Sequence, residues 1–522
     1  MHRRLRFIAI LVIISLLAWG ANLALAAEPK RGGTLRIAYG NKISHFDFHT
    51  APGYELIMVA MNVGCGLVNV TPDGDFVGDA AESWDVSPDG KSYTFKLRDN
   101  VYFHDDTQVT AEAVKFSIDR LMDPATKSGM RRFYEPVDRV EVIDPSTVRV
   151  HMKRPYAFFL HMIAGYRTGL VLYSPEATEK YGLDDRKKGK PGAVVGCGPF
   201  KFVEWVPNDH FVMDRWEKYH QEGMPYVDRV LIRVIKDPVT QMAAFKAGEI
   251  DFIASFSPEH VATLKAQNPD AQILTGPEST PMTAMMKVTN PAPGEKKLSQ
   301  KRVPHPLFGD VRVRKAVGCY GTDREAIVKI AFKGGATPWV GMISPGAIDS
   351  VDVNAMCPYD PEKAKALLQE AGYGPDNPLT FQLTTNTEKS VFNIIGTVIK
   401  EQMAKIGVQV NLHLVDKVTW MATVLRDGEW DMSIEDLAAL LTIDGNTYLS
   451  ASAATWNIAR HTDTKVDEYY TRYASEMDSV KRKAIAKELQ EYVADKMYWS
   501  TVSGSPFYQV AQSWMKGYVF NK

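Results

Sequence analysis

The chain has 522 residues, with 61 basic and 62 acidic side chains and a formal net charge of −1. That length exceeds what one ordinary core supports, so two or three domains are expected. The charge balance excludes the strongly basic face that nucleic acid would require, and no fixed-period repeat marks a solenoid.

At the start, Arg3, Arg4 and Arg6 precede an apolar run from Phe7 to Trp19 that only Ser15 interrupts. Ala24-Leu25-Ala26 then puts small residues where a signal peptidase reads. The apolar run is shorter than the roughly 20 residues a membrane-spanning helix needs. A cleavable secretory signal over residues 1–26 is therefore expected, with a mature start at Ala27 and a mature net charge of −4 once three arginines leave. No cysteine stands at the cleavage site, so no lipid anchor is implied, and the expected location is the periplasm. No other run is long and apolar enough to span a bilayer.

The mature chain opens with a glycine break, Gly32-Gly33, leading into a strand from Thr34 to Tyr39. Next comes a hairpin: Trp84 and Val86 run into the turn Ser87-Pro88-Asp89-Gly90, and Tyr93, Phe95 and Leu97 then alternate with polar residues. Thr110 is positioned to cap a helix with Glu112 in its first turn and Val114, Ile118 and Leu121 as its apolar stripe. From Gly196 strands resume: Gly198 to Trp205 alternates, and Val230 to Ile235 reads as a buried strand. A helix near Thr240 to Ala247 and a short strand at Asp251-Phe252-Ile253 follow. Asn290 to Lys297 reads as a polar, proline-rich surface loop.

The segment 360–415 alternates helix and strand, the mark of an α/β lobe. Asp360 is an N-cap, Pro361 takes the first helical position and Gly372 lies past the end. A strand from Leu379 to Thr384, a helix carrying Ile394, Ile395, Val398, Ile399 and Met403, and a strand through Val408, Val410, Leu412 and Leu414 complete it. A helix near Val480 to Lys496 and a final strand close the chain.

Four cysteines remain after cleavage: Cys65, Cys197, Cys319 and Cys357. Their spacing fits no zinc pattern. Export permits disulfides, and buried free thiols are the alternative; four cysteines allow three pairings. His104, His413 and His461 are isolated, so no metal site is expected. The sequence has no G-x-S-x-G, H-E-x-x-H or P-loop, and no catalytic residue is assigned.

Four blocks together resemble the extracellular solute-binding proteins of family 5, the peptide, nickel and opine class. They are Ala81 to Arg98 continuing to Phe103-His104-Asp105 and Thr110 to Ser117; Val195-Gly196-Cys197-Gly198-Pro199-Phe200 with Glu204-Trp205; Val311 to Val317 with Asp323-Arg324-Glu325; and Tyr359 to Ala364. The resemblance implies an α/β, two-lobed periplasmic binding-protein clamp of type II-like topology. Lobe I would comprise 27–65, 199–280 and 488–522, with an extra subdomain at 66–198; lobe II would comprise 281–487. It implies a monomer that captures a small molecule or peptide between the lobes and delivers it to an ABC permease in the inner membrane, with no cofactor. It also implies the cysteine pairs 65–197 and 319–357.

Dipeptide-binding members of that family anchor the peptide's carboxylate with an arginine and its amine with an aspartate. Here those positions fall near Asn393 or Ile394 and at Leu440 or Leu441, so both anchors are absent. The expected ligand contacts are Asn386, Trp420, Asp436, Asp444, Trp456 and Arg460 from the second lobe and Tyr39 from the first. Asp436 is the leading charged group, and Arg460 is a partner for an acidic group on the ligand. The aromatic residues fit core positions as well. Other classes compatible with the chain are an exported hydrolase and a ligand-sensing co-receptor.

Overall fold

The computed structural model describes residues 29–50, 54–164, 170–256, 260–387, 389–436 and 457–519. Its main feature is an eleven-stranded sheet that runs through both lobes. Two long strands, Gln272–Met286 and Trp499–Ala511, lie antiparallel at its centre. On one side of this pair, Met432–Asp436 adds antiparallel to the first long strand, and Thr380–Asn386 and Gln409–Val415 follow parallel to one another. On the other side come Phe252–Phe256, Thr34–Tyr39 and Arg229–Val234, then His210–Arg215 and Phe200–Val206. The register of the central pair shifts between Thr275 and Thr280, near the middle of the crossing. The chain thus passes twice between two α/β halves. The expected boundary at 487/488 falls inside the Ser479–Lys496 helix, and the second passage is made by the strand after it.

Local chemistry explains the elements. Asp360 accepts the Lys363 N–H at 2.9 Å, Pro361 opens the Pro361–Glu370 helix, and Gly372 takes a φ of 91° just beyond it. Val114, Ile118 and Leu121 are buried on one stripe of the Ala111–Met122 helix. Thr110 holds the cap position of that helix in extended backbone, but its side chain makes no capping bond, and the Ala111 N–H is taken by Pro145 O at 2.9 Å instead. The loop expected at 290–297 begins as a strand: Thr289–Pro291 pairs with Arg302–Pro304. Ile394 is exposed on the Ser390–Lys405 helix, and Gln402 is buried there in a bond with the Asp323 N–H.

A separate four-stranded sheet runs in the order 81–86, 92–97, 147–152, 137–144. Cys65 and Cys197 are bridged with Cα atoms 5.2 Å apart, and Cys319 and Cys357 with Cα atoms 4.9 Å apart. Gly196 and Gly198 flank the first bridge because the chain passes too close for any side chain. A Cβ would sit 1.9 Å from Val63 O at Gly196 and 2.5 Å from Gly64 O at Gly198. The segment just after the four-stranded sheet touches the Thr464–Ser475 helix. Phe158 stacks on Tyr473 with ring centroids 4.7 Å apart, and Ala157 N–H donates to Ala474 O at 2.9 Å.

Candidate functional site

In open α/β sheets, ligands gather at the carboxyl ends of parallel strands. Here those ends face one another across the central crossing. Tyr39 and Val234 end two parallel strands of one half; Asn386, Val415 and Asp436 end three in the other. Asp436 is in register with Met282 on the crossing strand, so the charged end of the second half stands beside the passage between halves.

That end carries a compact polar group. Glu435 is buried and accepts from Asn386 Nδ2 at 2.8 Å and Lys417 Nζ at 2.9 Å. Asp436 accepts from Lys389 Nζ. Burial pushes the Glu435 carboxyl well above the usual carboxylate range; its bond with Asp436 adds to this, and Lys417 offsets only part. Burial acts on Asp436 in the same direction, but the Lys389 ammonium overrides it and holds that carboxyl low. Each lysine sits just past a strand end: Lys389 follows Thr380–Asn386, and Lys417 follows Gln409–Val415. The sheet topology therefore brings the pairs together from three separate segments.

Asn386 and Asp436, both expected as second-lobe contacts, are thus joined in one cluster. Glu435, Lys389 and Lys417 were missed. The available signal was an acid in the otherwise buried strand Met432-Ser433-Ile434-Glu435. Trp420 is buried, its indole N–H donating to Ser433 Oγ at 2.9 Å beneath the Lys417 ammonium. It supports the cluster from below. Arg460 lies elsewhere, buried, donating to Val424 O and Leu425 O beside Asp427. Its guanidinium is held by these backbone carbonyls. Tyr39 is buried at its strand end, where its carbonyl accepts the Ile235 N–H at 3.0 Å. Asp444 and Trp456 lie outside the described residues.

His413 accepts from Gln382 Nε2 at 3.1 Å on the strand face, His104 bonds Gly198 O, and His461 stacks on Tyr498. Among the described residues no three His, Cys, Asp or Glu side chains converge as metal ligands. An open cavity of about 750 Å³ lies near Val234, Ile235, Lys236 and Thr240, but residues 208–249 alone line it, so it is a groove on one lobe and not the space between lobes.

The family model for bacterial extracellular solute-binding proteins, family 5 Middle, matches residues 75–460. The chain belongs to this family. The glutathione-binding protein GsiB of Escherichia coli K12 is 28% identical over 473 residues, covering 89% of this chain and 87% of GsiB. The crystal structure of the substrate-binding protein CtaP of Listeria monocytogenes superimposes with a TM-score of 0.81 at 22% identity, covering 93% and 95% of the two chains. AgaA of A. tumefaciens R10, solved with agropinic acid, superimposes with a TM-score of 0.74 at 27% identity, covering 92% and 93%. This family 5 protein therefore has the two-lobed α/β clamp of a bacterial extracellular solute-binding protein. Family members are solute-binding transport components found in the periplasm or outside the cell.

Proposed function

We propose that this chain is exported by the signal at residues 1–26, acts as a monomer without catalysis, and captures a small organic or peptide solute between its lobes for an inner-membrane ABC permease. The proposed partition is lobe I with its subdomain up to 280, lobe II from 281, and a return to lobe I along the last strand. The observation carrying the reading is the polar cluster at Asn386, Glu435 and Asp436, set at the strand ends beside the crossing. Closure of the lobes there would remove ligand and cluster from water together, which strengthens polar contacts and favours the closed state only when a ligand fits. A relative named for glutathione and a similar structure solved with agropinic acid support a small organic solute as ligand.

Native mass spectrometry of protein from the exported fraction tests this. The expected result is a polypeptide starting at Ala27 with a non-covalent small solute that leaves on denaturation. A polypeptide retaining Met1, or one that turns over hydrolase substrates, would overturn it.

A further inference from the structure

Lys389 and Asp436 differ in how firmly each is fixed. The Lys389 side chain is 47% exposed and the Asp436 side chain 19%. Lys389 follows its strand by three residues on a flexible four-carbon stem, whereas Asp436 is the last residue of a paired strand. The acid is fixed and the ammonium is tethered. Lys389 keeps access to water and can leave without burying its charge, whereas Asp436, mostly buried, needs another cation in its place. Asp436 cannot follow it, because its backbone is locked in register with Met282. The second pair is different. Glu435 is only 4% exposed and is gripped by both Asn386 and Lys417, with the ammonium seated over the Trp420 ring at 4.7 Å.

We propose that Lys389 is a specificity-determining residue: its ammonium occupies Asp436 in the absence of ligand, and a solute bearing a primary ammonium displaces it. The inference rests on the solute-binding reading above and names its ligand class. The protein's own –NH₃⁺ shows that the Asp436 carboxylate is reachable by that group. Exchange of one ammonium for another keeps Asp436 paired, and the released Lys389 is solvated or pairs with an acidic group on the same solute. A solute with an anion alone would have to draw Lys389 away and strand Asp436 in a closing cleft, which is the costlier outcome. Recognition is therefore asymmetric: the solute's cation matters more than its anion.

The test uses the full mature chain and titration calorimetry with tri-alanine, its N-acetyl form and its C-terminal amide. Tri-alanine and the amide should bind within a few-fold of one another, and the acetylated peptide at least tenfold more weakly. Lys389→Met should tighten the two amine-bearing probes by roughly two- to five-fold, Lys389→Arg should not, and Asp436→Asn should erase the preference for the amine. Thermal melts of each variant confirm folding. Equal binding of free and acetylated peptide, or weaker tri-alanine binding by Lys389→Met, would overturn the proposal. So would failure of every amine-bearing probe to bind; a retained solute lacking an amine would then sustain the solute-binding reading while sinking this one.

Discussion

Met282 and Asp436 face each other in register on neighbouring antiparallel strands. One belongs to the strand that crosses between the lobes, and the other ends the strand that carries the acidic pair. Rotation of the lobes about the crossing must therefore move the acidic pair relative to Tyr39 and Val234 on the opposite strand ends. A second contact bears on the same motion. Phe158, just after the four-stranded sheet, stacks on Tyr473 of the Thr464–Ser475 helix, and Arg482 covers Phe158 at 5.2 Å. Stacked aromatic pairs contribute about 0.5 to 1.5 kcal/mol beyond the area they bury. Phe158→Ala should shift the clamp toward open forms, increase the radius of gyration in small-angle scattering, and weaken binding of a retained solute by up to about tenfold. Unchanged scattering and affinity would show that the stack is packing without leverage on closure.

The bridge between Cys65 and Cys197 spans 132 residues, and that between Cys319 and Cys357 spans 38. Chain entropy assigns the first about 5 kcal/mol and the second about 4 kcal/mol as upper values. Cys65→Ser with Cys197→Ser should therefore lower the urea midpoint more than Cys319→Ser with Cys357→Ser does. The reverse order would mean that native-state packing, and not loop closure, governs the difference.

Acid should destabilise the protein through its buried histidines. Burial drives His104 down to about 4 from 6.5 and His49 to about 3, despite the carbonyl each ring bonds. His104 Nδ1 accepts the Gly196 N–H while Nε2 faces Gly198 O at 3.0 Å, so the fold holds the neutral ring with its proton on Nε2. The unfolded chain takes up a proton below about 6.5 and the folded chain does not. Stability is thus full above pH 6.5 and is lost as pH falls toward 4, by about 3 kcal/mol for His104 alone. His104→Gln keeps one acceptor and one donor without a titrating ring. Urea melts between pH 7.5 and 4.5 should show a shallower loss for that variant; an identical slope would remove His104 from the account.

What could be read in the sequence was local. Asp360, Pro361 and Gly372 delimit a helix by chemistry confined to thirteen residues, and the stripe Val114, Ile118, Leu121 is set by helical period alone. The four family blocks carried the clamp. The cluster was legible only in part, since Asn386 and Glu435 meet across 49 residues and Lys417 joins from a third segment. Trp420 illustrates the difficulty. A tryptophan after a strand end suits a cleft wall as well as a core; in the fold it is buried, with its indole N–H on Ser433 Oγ.

Arg460, expected as a ligand contact, sits in a buried charge cluster that yields a prediction. Asp427, fully buried, takes Arg302 Nη1 at 2.9 Å and Lys287 Nζ at 3.1 Å, with Arg460 Nε at 3.7 Å. Burial would raise the Asp427 carboxyl, but Arg302 and Lys287 hold it below its ordinary value. Three cations around one carboxylate remain buried only because carbonyls take the surplus donors: Gly428 O for Lys287, Thr289 O for Arg302, and Val424 O with Leu425 O for Arg460. The acid is the keystone, because removing it leaves three like charges in a dry site. Asp427→Asn should cost about 3 to 5 kcal/mol, and hydrogen exchange should accelerate first in the 289–304 hairpin that Arg302 holds. Arg460→Ala removes one of the surplus cations and loses bonds to two carbonyls, so it should cost less, about 1 to 3 kcal/mol. Its affinity for a retained solute should stay within about twofold of the parent, since 1.4 kcal/mol corresponds to tenfold and no contact to the cluster is lost. A large loss of affinity in Arg460→Ala at unchanged stability would return that residue to the binding site and refute the structural role given to it.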